Sequence, residues 1–212
     1  MLSPLKPRSY KAGFHLQVCI LQYTYKENIC NSFHLRLGQD DRLMILYDTR
    51  KKIVINGIWF YGLAGSGKTY ASSLVEKITR NSFIIDGDVV RQLISFDLGY
   101  SSNERKVQIQ RVLGLIQLVT LNKMFPVASS VSMDGQTLKK ACDLGILVIK
   151  IERPFDQISK IRDIYQKSDN VVGKDIKLDK LDTQVIYNAG NDTFHETIYN
   201  LLKPNIERKN AD

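Results

Sequence analysis

Ile53-Val54-Ile55-Asn56-Gly57-Ile58-Trp59-Phe60-Tyr61 runs directly into Gly62-Leu63-Ala64-Gly65-Ser66-Gly67-Lys68-Thr69. The first stretch is dominated by β-branched and aromatic residues, which suit a buried strand. The second fits the phosphate-loop pattern GxxxxGK[ST] at every defined position, and a helical stretch from Thr69 to Arg80 follows it. Strand, glycine-rich turn and helix in that order form a phosphate cradle. Glycines let the backbone curl so that successive N–H groups face phosphate oxygens, and the positive helix end adds to that field. In such a loop Lys68 reaches the β- and γ-phosphates, and Thr69 offers its hydroxyl to Mg²⁺. Residues 62–69 are therefore the candidate nucleotide site, with Mg²⁺ expected at the phosphates, and the motif alone does not separate kinase, GTPase and ATPase.

Beyond this loop the chain alternates short apolar runs with amphipathic stretches, which predicts an α/β fold with a doubly wound parallel sheet. Strands are expected at Ser82–Ile85, Phe125–Ser132, Ile146–Glu152 and Asp182–Tyr187. Helices are expected at Val89–Ser95, Asn103–Lys123, Gly135–Leu144, Phe155–Tyr165 and Thr193–Leu202. Leu113, Leu115, Ile116, Leu118, Val119 and Leu121 form a broad apolar face, read as core against the sheet, and Trp59 is read as packing. Gln166–Lys180 is polar and too long for an ordinary connection, so it is either a lid over a ligand or a solvated insertion. Arg162, Lys167 and Lys174 flank it, and a cationic lid would neutralise phosphate charge and exclude water.

Residues 51–212 make up the expected working domain. Pro4, Pro7 and Gly13 interrupt the start of residues 1–50, and no period persists between His15 and Tyr47, so this extension receives no role from its pattern. Residues 1–43 are expected to be dispensable, with Met44 as the natural start; the competing reading is an extension that packs on a neighbouring subunit.

Composition narrows the class. At 212 residues, 43% hydrophobic and 25% charged, the chain fits one globular core and excludes disordered, collagenous and coiled-coil proteins. Cys19, Cys30 and Cys142 show no paired spacing, so neither a disulfide framework nor a zinc cluster is expected, and a reducing cytoplasm fits. His15, His34 and His195 lack partners at metal-ligand spacing. No apolar run reaches the roughly 18 residues of a membrane span.

The net charge of +8 sits largely in the extension: residues 1–52 carry nine Lys/Arg against four Asp/Glu, and the remainder 21 against 18. A near-balanced body suits a small-anion enzyme better than a nucleic-acid surface, which needs a stripe of phosphate contacts. No nucleic-acid or membrane partner is expected, a small nucleotide acceptor is, and a homodimer is left open. A switch GTPase would carry Asn-Lys-x-Asp, whereas Asn122-Lys123 continues into Met124-Phe125.

After the second strand stands Asp86-Gly87-Asp88-Val89-Val90-Arg91. Carboxylates at the carboxyl end of a parallel strand lie near the phosphate loop in a doubly wound sheet. One of them can orient or deprotonate an attacking hydroxyl, directly or through the water shell of Mg²⁺. The alternative is an Asp-Gly turn in which Asp88 caps the next helix.

Three further motifs follow: Asp97-Leu98-Gly99-Tyr100-Ser101, then Glu104-Arg105, then Ser130-Val131-Ser132. With the first two, this ordered set resembles the adenylylsulfate kinase family of small P-loop kinases over Gly57 to about Tyr187. The resemblance implies ATP γ-phosphate transfer to the ribose 3′-hydroxyl of a nucleotide carrying an activated anhydride. It implies catalytic roles for Lys68, Asp86 and Ser132, the last matching a serine assigned a phosphoenzyme role in the family, and a role for Asn188–Asp192 near the adenine. Asp88, Arg91, Arg105, Gln108, Ser130 and Lys174 would line the acceptor site, where guanidinium groups bind oxyanions bidentately.

The acceptor half departs from the family pattern. Val107-Gln108-Ile109-Gln110-Arg111 replaces Glu-Asn-Ile-Arg-Arg, Ser130-Val131-Ser132-Met133-Asp134 replaces Ser-Phe-Ile-Ser-Pro-Phe, and Val171-Val172-Gly173-Lys174-Asp175 replaces Phe-Thr-Gly-Ile-Asp. The edits resemble the sub-branch that phosphorylates cytidine diphosphoramidate for capsular polysaccharide. That acceptor is favoured, adenylyl sulfate is the alternative, and a non-catalytic nucleotide-dependent nucleic-acid-binding module is a more remote one.

Overall fold

The computed structural model describes residues 55–209, with side chains described through residue 202. Ile53, Val54, the proposed start at Met44 and the whole of residues 1–50 lie outside that range. Five parallel strands stand in the order β2-β3-β1-β4-β5. They are β1 (Gly57–Tyr61), β2 (Ser82–Asp86), β3 (Phe125–Ser130), β4 (Ile146–Glu152) and β5 (Gln184–Tyr187). The helices are α1 (Lys68–Ile78), α2 (Gly87–Leu93), α3 (Ser102–Leu121), α4 (Gly135–Asp143), α5 (Phe155–Ile161), α6 (Ile164–Lys167) and α7 (Asp192–Lys209).

Central β1 is buried along its whole length, as a parallel strand covered on both faces must be. Its side chains divide the core in two. Ile58 and Phe60 join Leu74 and Val75 of α1, Ile149 and Ile151 of β4, and Phe194 and Ile198 of α7. Trp59 and Tyr61 face Ile109, Val112 and Ile116 of α3, with Ala141 of α4. Trp59 is packing, as expected: it is fully buried, and its indole Nε1 donates to Ser130 Oγ at 2.9 Å.

Gly57 is glycine for want of space. A Cβ there would stand 2.5 Å from the Pro126 ring and 2.8 Å from the Pro126 carbonyl oxygen, and β-strand backbone cannot yield cheaply.

Several boundaries move from their expected places. The expected helix Phe155–Tyr165 is two helices, because Arg162 is extended (φ −127, ψ 106) and ends α5. β3 stops at Ser130 and not Ser132, and β5 starts at Gln184. The apolar face of α3 is narrower than its composition suggests. Leu113, Ile116 and Val119 are buried, whereas Leu118 and Leu121 are 56% and 80% exposed. No helix among the described residues is long and apolar enough to cross a membrane.

Gly57→Ala is expected to lower the free energy of unfolding by about 1–3 kcal/mol, the range for overpacking a filled site. Urea denaturation of the variant beside the parent protein checks this.

Candidate active site

All five strands are parallel, so their carboxyl ends share one edge, and β1 lies where the sheet order turns from β3 to β4. The phosphate loop leaves β1 at this edge. Gly62, Gly65 and Gly67 have φ of 147°, 86° and 107°, conformations that side-chain-bearing residues rarely adopt. A Cβ on Gly62 would also stand 2.2 Å from the Ile151 carbonyl oxygen, and one on Gly67 2.4 Å from Asn188 Nδ2. The glycines of the motif are thus demanded by backbone angle and by space together.

Lys68 Nζ donates to the Leu63 carbonyl inside its own loop at 2.8 Å. Burial pushes its pKa down to about 8; the carboxylates of Asp88 and Asp86 pull it up, and Arg162 adds a smaller downward push. The loop encloses a cation whose partner among the described residues is one carbonyl and not a carboxylate, an environment suited to a polyanion. Ser66 Oγ is also buried without a partner among the described residues.

Asp86 ends β2 and caps α2. Its Oδ1 accepts from the amides of Asp88 at 2.9 Å and Val89 at 3.4 Å. Its Oδ2 accepts from Thr69 Oγ1 at 3.3 Å and Ser129 Oγ at 3.1 Å. The capping residue is therefore Asp86 and not Asp88, and capping does not withdraw it from the site. One oxygen serves the helix, and the other meets the hydroxyl that a Mg²⁺ ion would use. Thr69 and Asp86 are oxygen donors of the kind Mg²⁺ takes. Asp88 is exposed in the first turn of α2.

Arg91 and Arg105 meet beside the loop that joins α2 to α3. Arg91 Nη1 donates to the Gly99 carbonyl at 2.6 Å and the Leu98 carbonyl at 3.4 Å. Arg105 Nε donates to the Tyr100 carbonyl at 3.0 Å, and its Nη2 to the Asn170 carbonyl at 2.7 Å. Burial, with the neighbouring charge of Arg91, holds Arg105 below the ordinary arginine pKa. Gln108 is buried and its Nε2 donates to the Gly87 carbonyl at 3.1 Å, between the two aspartates of the motif. Its Oε1 has no partner among the described residues.

Other expected site residues are less available. Ser130 Oγ accepts from Trp59 and donates to the Ser132 carbonyl at 2.7 Å, so its hydroxyl is engaged within the fold. Lys174 Nζ donates to the Ser168 carbonyl at 3.0 Å, turned back on its own loop. Ser132 is partly buried just past β3.

The segment after α5 packs on the phosphate loop. Ile158, Tyr165 and Val171 form a buried cluster with Leu63 and Ala64, and Tyr165 OH donates to the Ala64 carbonyl at 2.9 Å. Arg162 lies over the loop, since a Cβ on Gly65 would stand 3.0 Å from its Cγ. The first part of the Gln166–Lys180 stretch is thus anchored to the nucleotide site. Asn188 Nδ2 donates to the Ser66 carbonyl at 2.7 Å, fixing the turn after β5 against the loop.

Tyr165 and Ser129 belong to none of the quoted motifs, and only the fold brings them to the site; Tyr100 stands in the Asp97–Ser101 motif, which gave it no role of its own. For Ser129 a hydroxyl at the end of a strand next to β2 was the available signal.

Residues 55–169, more than half of the chain, match the family model for adenylylsulphate kinase. The chain belongs to that family. It is 33% identical over 118 residues to an adenylyl-sulfate kinase of Thermodesulfovibrio yellowstonii, covering 53% of this chain and 48% of the relative. It is 31% identical over 123 residues to that of Clostridium acetobutylicum, covering 53% and 61%. The chain spans about half the length of the curated relatives it matches. Among solved structures, the Mycobacterium tuberculosis APS kinase in complex with AMPPNP and APS superposes with a TM-score of 0.61 at 19% identity, over 70% of this chain and 96% of that one. That likeness supports the P-loop kinase fold, and the family is one of phosphotransferases acting on a hydroxyl group.

The partly enclosed Lys68 sets a pH signature for the ligand-free protein. Its lowered pKa means that its charge costs stability below about pH 8, a cost relieved as pH rises from there through the ordinary lysine pKa of 10.5. The difference in Tm between Lys68→Met and the parent is expected to favour the variant most below pH 8 and to shrink above it. Thermal melts across pH check this.

Proposed function

We propose that the protein transfers the γ-phosphate of ATP to the ribose 3′-hydroxyl of a small nucleotide bearing an activated anhydride, and that residues 51–212 form the domain that does so. The observation that carries this reading is the convergence of Lys68, Thr69 and Asp86 at one sheet edge. Thr69 and Asp86 lie within one hydrogen bond of each other at 3.3 Å, and the acceptor-side arginines stand on α2 and α3. Bound Mg-ATP would supply the phosphoryl group and a metal that neutralises its charge. The loop amides and Lys68 hold the phosphates, Thr69 and Asp86 hold the metal's side, and Asp86 orients the attacking hydroxyl. Arg91 and Arg105 hold the acceptor's anion. Phosphoryl transfer needs positioning and charge neutralisation above all, so Ser132 need not carry a phosphoryl group and is read as a site-lining hydroxyl. A cytoplasmic setting and a single small nucleotide partner accord with this chemistry.

For the acceptor we favour cytidine diphosphoramidate over adenylyl sulfate, and Gln108 supports the preference. The Gly87 carbonyl can only accept, so the Gln108 nitrogen turns to it and the oxygen is left facing elsewhere without a donor. A buried acceptor left unmatched costs about 1–3 kcal/mol, which a donor on the substrate would offset. The amide of a phosphoramidate offers N–H groups, whereas a sulfate at neutral pH offers only acceptors. Asparagine, the family's residue here, has a shorter reach.

Three outcomes are expected. With Mg-ATP, ADP release should be faster with cytidine diphosphoramidate than with adenylyl sulfate, and the product should gain the mass of one phosphoryl group; a preference for adenylyl sulfate would reverse the assignment. Gln108→Asn should shift relative kcat/KM toward adenylyl sulfate by about tenfold, the worth of one hydrogen bond to a buried group. Asp86→Asn should cut kcat by at least about a hundredfold while leaving AMPPNP affinity nearly unchanged. A fall in affinity alone would make Asp86 a binding residue.

A further inference from the structure

β3 ends in two serines whose hydroxyls serve different ends. Ser130 donates to the Ser132 carbonyl and accepts from the Trp59 indole. Ser129 donates to Asp86 Oδ2 at 3.1 Å, and it is only 3% exposed. A buried hydroxyl in an otherwise apolar run costs free energy unless it is paired. Packing alone would be served by alanine, which fills the preceding position of the strand as fully buried Ala128.

Ser129 is held in place from both sides. It stands opposite Phe60 of β1 and Asp86 of β2 in the two parallel ladders, so its backbone moves only with the sheet. The turn after Asp86 is pressed onto it, since a Cβ on Gly87 would stand 2.7 Å from the Ser129 carbonyl oxygen. With both backbones fixed, the freedom left to the carboxylate is rotation about its terminal bond, a torsion with only broad preferences of its own. The amides of α2 hold Oδ1. Oδ2 has two hydroxyl partners among the described residues, and Thr69 is the exposed and more distant one, at 3.3 Å. In the proposed reaction Thr69 also faces the metal of Mg-ATP, whereas Ser129 is claimed by no ligand.

We propose that Ser129 is a positioning residue whose hydroxyl holds Asp86 Oδ2 toward Thr69, and so raises turnover without adding to the affinity for either substrate. The inference rests on the reading that Asp86 orients the attacking hydroxyl. Its chemistry asks for a hydroxyl donor on Cβ. Threonine should replace Ser129, and alanine should not. The competing job for a buried serine here is to secure β3 against β2, and such a role acts on the fold whether or not position 86 carries a carboxylate.

Steady-state kinetics of the full chain test this, with Mg-ATP and whichever of cytidine diphosphoramidate and adenylyl sulfate the parent protein turns over faster. Ser129→Ala is expected to lower kcat about tenfold, the worth of one hydrogen bond to a charged group, with KM for ATP and for the acceptor within about twofold of the parent. Ser129→Thr should keep kcat within about twofold of the parent. Added to Asp86→Asn, Ser129→Ala should change the residual kcat by less than about twofold, because the carboxylate that the serine positions is gone. Should Ser129→Thr fail to fold, this double variant decides without it.

Parent-like kcat for Ser129→Ala would overturn the proposal, as would a loss carried by KM. The same tenfold loss with and without Asp86→Asn would overturn it too, by assigning the serine to the sheet. A folded Ser129→Thr as slow as Ser129→Ala would do so by showing that the hydroxyl is not what counts. Asp86→Asn alone is the control for the underlying reading. If it keeps parental kcat, or if the parent turns over neither acceptor, that reading falls and the proposal with it; if it is slow while Ser129→Ala is not, only the role of Ser129 fails.

Discussion

The site depends on one carboxylate accepting from two directions at once. Asp86 Oδ1 takes the free amides that open α2, and Oδ2 takes the hydroxyls of Thr69 and Ser129. Through that single group the end of β2, the end of β3, the first turn of α1 and the start of α2 are held in one place. Ser129 is the buried one of these partners, and a buried hydroxyl left unpaired would cost more than the bond it makes is worth, which enforces its pairing with Asp86. It also puts the carboxylate next to the residue that opens the nucleotide-binding helix, which is where phosphoryl chemistry needs a fixed negative group.

This makes the donor half rigid by construction. The loop glycines leave no room for alternatives, since a Cβ at Gly62 would drive into the β4 backbone and one at Gly67 into Asn188. The Asn188 amide, bonded to the Ser66 carbonyl, closes the cradle from the β5 side, and the Tyr165 hydroxyl closes it at Ala64. Lys68, folded onto the Leu63 carbonyl, is held ready within the loop with its charge only partly compensated. A polyanion in the loop would compensate the charge that burial leaves exposed to its own desolvation cost.

Much of this was legible in the sequence, because the relevant signals are local. The phosphate loop needs glycine, lysine and a hydroxyl at fixed spacing, and every strand and helix junction around it is a run of a few residues. The limits of β4 match the expected run, since an apolar stretch between Gly145 and Pro154 has sharp ends. What stayed hidden depends on contacts across the fold. Nothing near Tyr165 says that its hydroxyl will meet a carbonyl a hundred residues earlier. Arg162 looks helical in its run, but it is extended and splits α5 from α6 as it crosses Gly65. Ser130 reads as a substrate hydroxyl until Trp59 is seen to donate to it. Leu118 and Leu121 lie in the apolar run of α3 but are exposed, since the helix buries Ile109, Val112, Leu113, Ile116 and Val119.

The acceptor half shows how a binding site is edited without disturbing the machine beside it. Where the family carries an arginine, Gln110 donates to Thr137 Oγ1 at 2.8 Å, and Thr137 in turn donates from amide and hydroxyl to Asp134. The position therefore ties α3 to α4 and no longer offers a charge to an anion. Asp134 is itself one of the altered residues, and it caps α4. Two departures that look independent along the chain form one hydrogen-bonded unit in space. With glutamine at position 110, Arg91 and Arg105 stand at the α2–α3 loop beside Arg111, whose charge is paired with Asp97, while Gln108 adds a neutral buried oxygen. The site exchanges part of its charge for hydrogen-bond matching. The proposed acceptor site would discriminate by donor and acceptor pattern and less by total anionic charge, since a group built to be matched rejects a ligand that leaves it bare.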